Sequence, residues 1–213
     1  MDEWNIGDPD WWGDGFTRAE NYGSNRNENE NENETPPNYQ IKAINLKRKG
    51  LYSEALEAIN QALDSRKTSE NWNIKGIILN NLAFDDPSLY REAIDCYNQS
   101  LSLRDSIIVK NNKAICLSNW AWHLQENRYY ELAYGKLREA FPLFEKKDID
   151  YAYALDVAGV IFHKTNRPER ARAMYDEALL YDPENEIYKD NIKRLSEGLD
   201  VDYEYLKKNK VRL

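Results

Sequence analysis

Few residues in this chain have the types and spacing that catalysis or metal binding requires. A histidine could act as a general acid or base, and about four His, Cys or acidic ligands could bind zinc. His123 and His163 have no phosphate-binding loop, nucleophile motif or metal-ligand spacing beside them. Cys96 and Cys116 do not complete a ligand set, and free cysteines are typically buried. We therefore expect no catalytic residue, no cofactor and no metal, and predict that the protein is not an enzyme.

Aromatic side chains near the N-terminus could take part in recognition. Residues 1–23 are acidic and contain too few apolar residues to form a core, so their aromatics either dock or stay exposed. Tryptophan is a favoured interface anchor. Docking could be to a separate partner, to the same chain or to a second copy, and the alternative is a leader that binds nothing. The candidate docking residues are Trp4, Trp11, Trp12 and Phe16.

Charge is concentrated in the N-terminal part of the chain. Residues 1–38 carry a net charge of −8, which equals the charge of the whole chain, so acids and bases balance in the rest. A neutral body does not favour nucleic acid. No run of about 18 apolar residues indicates a membrane span, and no secretory leader is visible. We expect a cytoplasmic protein that binds neither nucleic acid nor a membrane.

Composition divides the chain into four segments. Residues 1–23 form the acidic aromatic segment, which we predict to be disordered, and residues 24–38 are an Asn/Glu-rich linker that cannot offset its ordering entropy by burial. Residues 39–198 have helical periodicity interrupted by turn signals, and residues 199–213 form a basic tail.

The helices that must position any binding residue are marked by a spacing that occurs four times. A small residue is followed four residues later by a larger apolar or aromatic residue, and three residues after that by a second small one next to Leu or Phe. Small residues let a neighbouring helix approach closely, so such helices stack. The copies are Ala55, Ile59, Ala62-Leu63; Ala93, Tyr97, Ser100-Leu101; Ala133, Leu137, Ala140-Phe141; and Ala171, Tyr175, Ala178-Leu179.

The fourth copy belongs to a longer motif, which comprises Leu155, Ala158-Gly159, Phe162, Asn166, Pro168, Ala171, Tyr175, Ala178-Leu179 and Pro183. On these residues the chain resembles the tetratricopeptide repeat family. The resemblance covers roughly residues 36–185. It implies an all-α, right-handed solenoid of about four helical hairpins, and the amphipathic segment that follows is predicted to be a C-terminal capping helix.

Two of the four copies depart from this motif by insertion. The second copy has extra residues near Asp85-Asp86-Pro87, which favour an enlarged turn. The third has extra residues around 119–125, where Trp120 and Trp122 favour a longer first helix. Both insertions add surface to one edge of the array, and the two tryptophans are candidate docking residues there.

The resemblance also implies a concave groove lined by the first helix of each hairpin, with ligand contacts at fixed motif positions. Asparagine is frequent at these positions, and its amide suits the backbone of a peptide. The alternative is that these asparagines simply solvate an exposed helix. The candidate groove residues are Lys47, Arg48, Asn73, Asn80, Asn81, Asn111, Asn112, Asn119, Asp156, His163 and Lys164.

These observations predict a non-catalytic adaptor or scaffold that binds a protein or peptide partner in its concave groove. The alternative is an accessory or regulatory subunit of an enzyme complex that docks through its edge or convex surface. In that alternative the N-terminal segment is a recognition or autoinhibitory element.

Overall fold

A computed structural model describes residues 38–201, and this part of the chain consists of helices joined by short turns. The predicted all-α solenoid with a capping helix is confirmed. The predictions for segment 1–23, for the linker up to residue 37 and for the tail beyond residue 201 lie outside the described residues. The helices are α1 (Tyr39–Arg48), α2 (Tyr52–Ser65), α3 (Ser69–Leu82), α4 (Leu89–Leu103), α5 (Ile107–Glu126), α6 (Tyr130–Ala140), α7 (Ile149–Lys164), α8 (Pro168–Tyr181) and α9 (Glu186–Ser196).

The first eight helices pack as four pairs, α1–α2, α3–α4, α5–α6 and α7–α8, and each second helix also contacts the next first helix. The predicted small-residue spacing lies on the second helices. Its leading alanines, Ala55, Ala93, Ala133 and Ala171, are fully buried. In a solenoid each hairpin covers one face of the hairpin before it. The buried alanines lie on the faces that are covered in this way.

Two glycines allow the helices of a pair to approach closely. A Cβ added at Gly76 would lie 2.7 Å from the ring of Tyr97, and one added at Gly159 would overlap the ring of Tyr175. Both tyrosines are among the largest fully buried side chains of the described residues. A glycine on the first helix and a tyrosine on the second therefore set the distance between helices in the second and fourth pairs.

The two insertions take the forms that the sequence predicted. The second pair has a six-residue connection, 83–88, in which the backbone N–H and hydroxyl of Ser88 both donate to Asp86 Oδ1. The third pair has a longer first helix, because α5 contains 20 residues where α3 contains 14. The lengthening places Trp120 and Trp122 inside helix α5.

The structure corrects the prediction that Trp122 is a docking residue at an exposed edge, whereas the docking role of Trp120 stays a prediction. Trp122 is only 9 % exposed and packs in the cluster that α5, α6 and α7 share. Trp120 is half-buried, stacks on Tyr90 with ring centroids 6.1 Å apart, and lies under Lys136 Nζ. Both side chains hold neighbouring helices together because burial of a large aromatic surface is favourable.

Helix α9 covers the last hairpin. Its N-cap residue, Asn185, accepts hydrogen bonds from the backbone of Ile187 and Tyr188, and Tyr188 is buried against α7 and α8. At the other end Gly198 has φ +67°, the left-handed conformation in which a helix commonly ends. Among helices α1 to α9, none combines the length and apolar character of a membrane-spanning segment.

Candidate peptide-binding face

The first helices α1, α3, α5 and α7 carry all the candidate groove residues, and we call the side of the array that these residues line the inner face. Several of the asparagines form direct contacts between adjacent helices. Asn112 Nδ2 donates to Asn73 Oδ1 at 3.1 Å, and Asn119 Nδ2 donates to Asn80 Oδ1 at 3.2 Å. Each pair joins α3 to α5, so these amides contribute to the cohesion of the second and third repeats.

Burial separates these asparagines into two groups. Asn73, Asn80 and Asn119 are all buried, and Asn119 has no exposed surface at all. Asn112 is half-buried, as are Asn81 and Asn111. The structure thus corrects the expectation that every candidate asparagine presents its amide to a ligand: the three buried ones present theirs to a neighbouring helix.

A similar polar contact joins the third and fourth repeats. Asn111 Nδ2 donates to Asp150 Oδ2 at 3.1 Å. Burial raises the pKa of the Asp150 carboxyl, and the hydrogen bond from Asn111 opposes that shift. Asp150 is in the first turn of α7, after the N-cap residue Asp148, whose side chain accepts from the Asp150 backbone N–H.

The contact between the fourth repeat and the cap contains a buried carboxyl group. Asp156 Oδ1 accepts from Asn191 Nδ2 of α9 at 2.9 Å, and both residues are almost fully buried. Burial raises the pKa of Asp156 to about 7, although the hydrogen bond from Asn191 favours the ionised form. Asn191 Oδ1 is buried without a hydrogen-bond partner among the described residues, so a protonated Asp156 is the natural donor for it.

His163 and Lys164, at the end of α7, bind the chain segment that follows α9. His163 Nε2 lies 2.9 Å from the carbonyl oxygen of Leu199. Lys164 Nζ donates to Asp200 Oδ2 at 2.9 Å and to the carbonyl oxygen of Val201 at 3.0 Å. Two predicted ligand contacts are therefore made, within the described residues, to the protein's own backbone.

The accessible part of the inner face is on α1, α3 and α5. Each of these helices has an isoleucine followed three and four residues later by polar residues, and this spacing places all three side chains on one face. Ile108 of α5 is 44 % exposed, whereas Ile44 and Ile77 are half-buried. The corresponding stretch of α7, from Tyr153 to Val157, is buried. The accessible polar residues of these sets are Lys47 and Arg48, Asn81, and Asn111 and Asn112, whereas Asn80 is buried against α5.

Residues 152–185, which run from α7 past the end of α8, match the family model of the tetratricopeptide repeat. Helices α7 and α8 therefore form a tetratricopeptide repeat. Domains of this family generally mediate binding to protein partners and are generally non-catalytic. No curated protein sequence matches the chain.

Three solved structures resemble this chain with a TM-score of 0.51 each. PilF of Pseudomonas aeruginosa is 18 % identical over 74 % of this chain and 65 % of its own, so the match spans slightly less than two thirds of PilF. MamA of Desulfovibrio magneticus RS-1, from residue 41 to its end, is 22 % identical over 75 % of this chain and 88 % of that one. The MamA RS-1 ArsTM double mutant is 21 % identical over 75 % and 87 %. These likenesses show the fold alone.

Sequence reasoning missed two parts of the inner face of this protein. One is Asn191, which lies on the otherwise apolar stripe of α9 with Tyr188 and Leu195; a polar residue within such a stripe was the available signal. The other is segment 199–201, which the sequence assigned to a tail. Its placement depends on the left-handed turn at Gly198 and could not be inferred from composition.

Proposed function

We propose that this protein is a non-catalytic scaffold that binds an extended peptide segment of a partner along the inner face of α1, α3 and α5. The observation that carries the proposal is that each of these helices has an exposed or half-buried isoleucine with at least one accessible polar side chain beside it. An isoleucine offers apolar contact to a peptide side chain. Asparagine amides offer a donor and an acceptor to its backbone.

Helices α1 and α5 would contribute differently to recognition. Lys47 and Arg48 lie in the last turn of α1. Residues 39–50, which comprise α1 and the turn after it, contain four bases and no acid. On α5, by contrast, the face around Ile108 carries the amides of Asn111 and Asn112. A partner segment with an acidic residue near α1 and an apolar residue near α5 fits this distribution.

Recovery of partners from the native cell tests the proposal. The full chain would be compared with Ile108→Asp, which places a charge on the inner face, and with Leu180→Asp as a matched control. Leu180 is 75 % exposed on α8, a second helix. We expect Ile108→Asp to lose a partner that the wild type and Leu180→Asp both retain. Recovery of the same proteins by all three, with both variants folded by circular dichroism, would contradict groove binding.

A second surface is favoured by one observation. Tyr129 and Leu132, three residues apart at the start of α6, are 59 % and 61 % exposed. Since Trp122 is packed, this pair replaces it as the contact of an accessory subunit that docks through its edge. Loss of a partner on Leu132→Asp, with retention on Ile108→Asp, would support this alternative.

A further inference from the structure

Helix α6 presents an apolar face to solvent, on the side of the array opposite to its buried residues. Tyr129, the N-cap residue of α6, and Leu132 are 59 % and 61 % exposed. Gly135 lies one turn after Leu132, on the same face, and a Cβ added to it would have no atom within 4 Å. A protruding leucine therefore stands next to open space above a glycine.

One flank of this face carries an acid and a base in a defined order. Glu131 and Arg138 are both exposed and lie seven residues apart, which is about two helical turns, so they share a flank of α6. About 10 Å of helix separates them. Within residues 38–201 neither takes part in an ion pair. Their order along the helix, acid before base, is reversed in a helix that runs the opposite way.

We infer that this face of α6 binds a second copy of the chain, with the two α6 helices antiparallel about a two-fold axis. In such an interface the same patch of both copies is used, and every contact occurs twice. The axis brings the same flank of both helices together, so Glu131 of each copy faces Arg138 of the other. The exposed charges of the flank are thereby paired without any further protein.

The register of the two helices follows from the leucine and the glycine. With the two-fold axis between Ala133 and Tyr134, Leu132 of each copy lies opposite the second copy's Gly135, where the space is open. A glycine at a helix contact lets the two axes approach closely, since the distance between axes depends on the side chains at the contact. In this register Glu131 is within about 3 Å, along the axis, of the level of the second copy's Arg138, which the two long side chains span.

The other flank supplies an aromatic contact in the same register. Tyr129 of each copy comes within about 3 Å, along the axis, of the level of the second copy's Lys136. The Lys136 ammonium lies 4.6 Å from the ring centroid of Trp120, which is half-buried beneath it. The ring of Tyr129 thus meets the aliphatic part of a lysine that already covers an aromatic surface.

The size of the contact limits its strength. Helix α6 has 11 residues, about 16 Å of helix, and a pair of such helices lies at the low end of the areas that specific interfaces bury. We therefore expect a reversible dimer with a dissociation constant in the micromolar range. The second copy is a different occupant from the accessory partner proposed for Tyr129 and Leu132, and the inference does not depend on the inner face.

Sedimentation velocity of the purified full chain across the micromolar range tests the inference. We expect a concentration-dependent dimer in the wild type. Leu132→Asp should raise the dissociation constant at least about tenfold, because it removes apolar contact and places a charge in the interface. Leu180→Asp, whose exposed site is on α8, is the matched control and should dimerise as the wild type does.

Charge reversal tests the antiparallel arrangement. Glu131→Arg and Arg138→Glu should each weaken the dimer by about twofold to tenfold, because each variant places like charges opposite one another. Glu131→Arg/Arg138→Glu should restore it. An equimolar mixture of the two single variants should also restore it, since every facing pair in the mixed dimer is again opposite in sign.

Three results would overturn the inference. A wild-type chain that stays monomeric would leave this face of α6 to an accessory partner. A dimer that Leu132→Asp does not weaken would place the contact elsewhere, and a dimer that neither charge variant weakens would exclude the antiparallel arrangement. None of these results affects the partner-recovery experiment with Ile108→Asp, which concerns the opposite side of the array.

Discussion

Asp156 is a buried carboxyl group, and within residues 38–201 no positively charged side chain is paired with it. Its carboxyl lies close to Tyr153, Tyr175 and Tyr188, and the only hydrogen bond described for it comes from Asn191. Because burial raises its pKa to about 7, folding at neutral pH must either retain the proton or bury the charge. Either choice costs stability relative to acidic solution, so this residue makes the cohesion of the cap depend on pH.

The sign of this dependence follows from the two protonation states. The unfolded carboxyl ionises near its ordinary value of 3.8, whereas the folded one keeps its proton up to about pH 7. Within this window the folded state binds more protons, so the contribution of Asp156 to stability is full below pH 3.8 and is lost as the pH rises to 7. The total loss is on the order of 4 kcal/mol at most.

The variant Asp156→Asn tests this prediction. Its amide can accept from Asn191 Nδ2 and donate to Asn191 Oδ1 without ionising, so we expect it to be more stable than the wild type at pH 7 and equally stable near pH 4. The measurement is the free energy of unfolding in urea across this range. Asp176→Asn, on the exposed side of α8, is the control. A constant difference between Asp156→Asn and wild type at all pH values would contradict the assignment.

Two glycines provide a second test at the level of single residues. Gly159→Ala would force its Cβ into the buried ring of Tyr175, and we expect overpacking to cost about 1–3 kcal/mol. Gly135→Ala, in helix α6 with no atom near the added Cβ, should instead stabilise the protein by about 1 kcal/mol through helix propensity. Thermal unfolding of both variants gives the comparison. If Gly159→Ala matched Gly135→Ala, the close approach of α7 and α8 would not be needed.

Among helices, the most specific contact is the amide pair that joins α3 to α5. Asn80 and Asn119 are buried, so removal of either side chain leaves the other without its partner. We expect Asn119→Leu to destabilise the protein by about 1–3 kcal/mol. Asn80→Leu/Asn119→Leu should recover much of this loss because no amide is then buried alone. A double-mutant cycle in urea measures the coupling, and strict additivity of the two single changes would show that the pair does not act as a unit.

The sequence predicted helices better than it predicted contacts between them. The second helices were found because the Ala93, Tyr97, Ser100 type of spacing is local and reflects one buried face. The long α5 was also predicted, since Trp120 and Trp122 continue the helical pattern. The hydrogen bond between Asn119 and Asn80 depends on how α3 and α5 are positioned relative to each other. Because both repeats contain insertions, the sequence of neither helix predicts that position. An exposed ligand contact and a buried partner of the next helix therefore appear the same in sequence.

At the scale of the whole molecule, the first helices of the four hairpins differ in burial: α1 has the smallest buried fraction and α7 the largest. Helix α1 has one buried residue of ten, Ala43, whereas α7 has eleven of sixteen. The α5–α7 region shares one large cluster, and α9 covers the end of the array beyond α8. In a solenoid each repeat is stabilised only by its neighbours, so the hairpin with the smallest interface opens first.

Hydrogen exchange measured by mass spectrometry tests this difference in the full chain. We expect amides of α1 to exchange at least tenfold faster than those of α7, because opening the first hairpin exposes little apolar surface while opening the fourth disrupts the clusters on both of its sides. The variant Ala43→Gly should accelerate exchange in α1 and α2 and leave α7 and α8 unchanged, as nearest-neighbour coupling requires. Equal acceleration in all four hairpins would instead show that the array opens as a single cooperative unit.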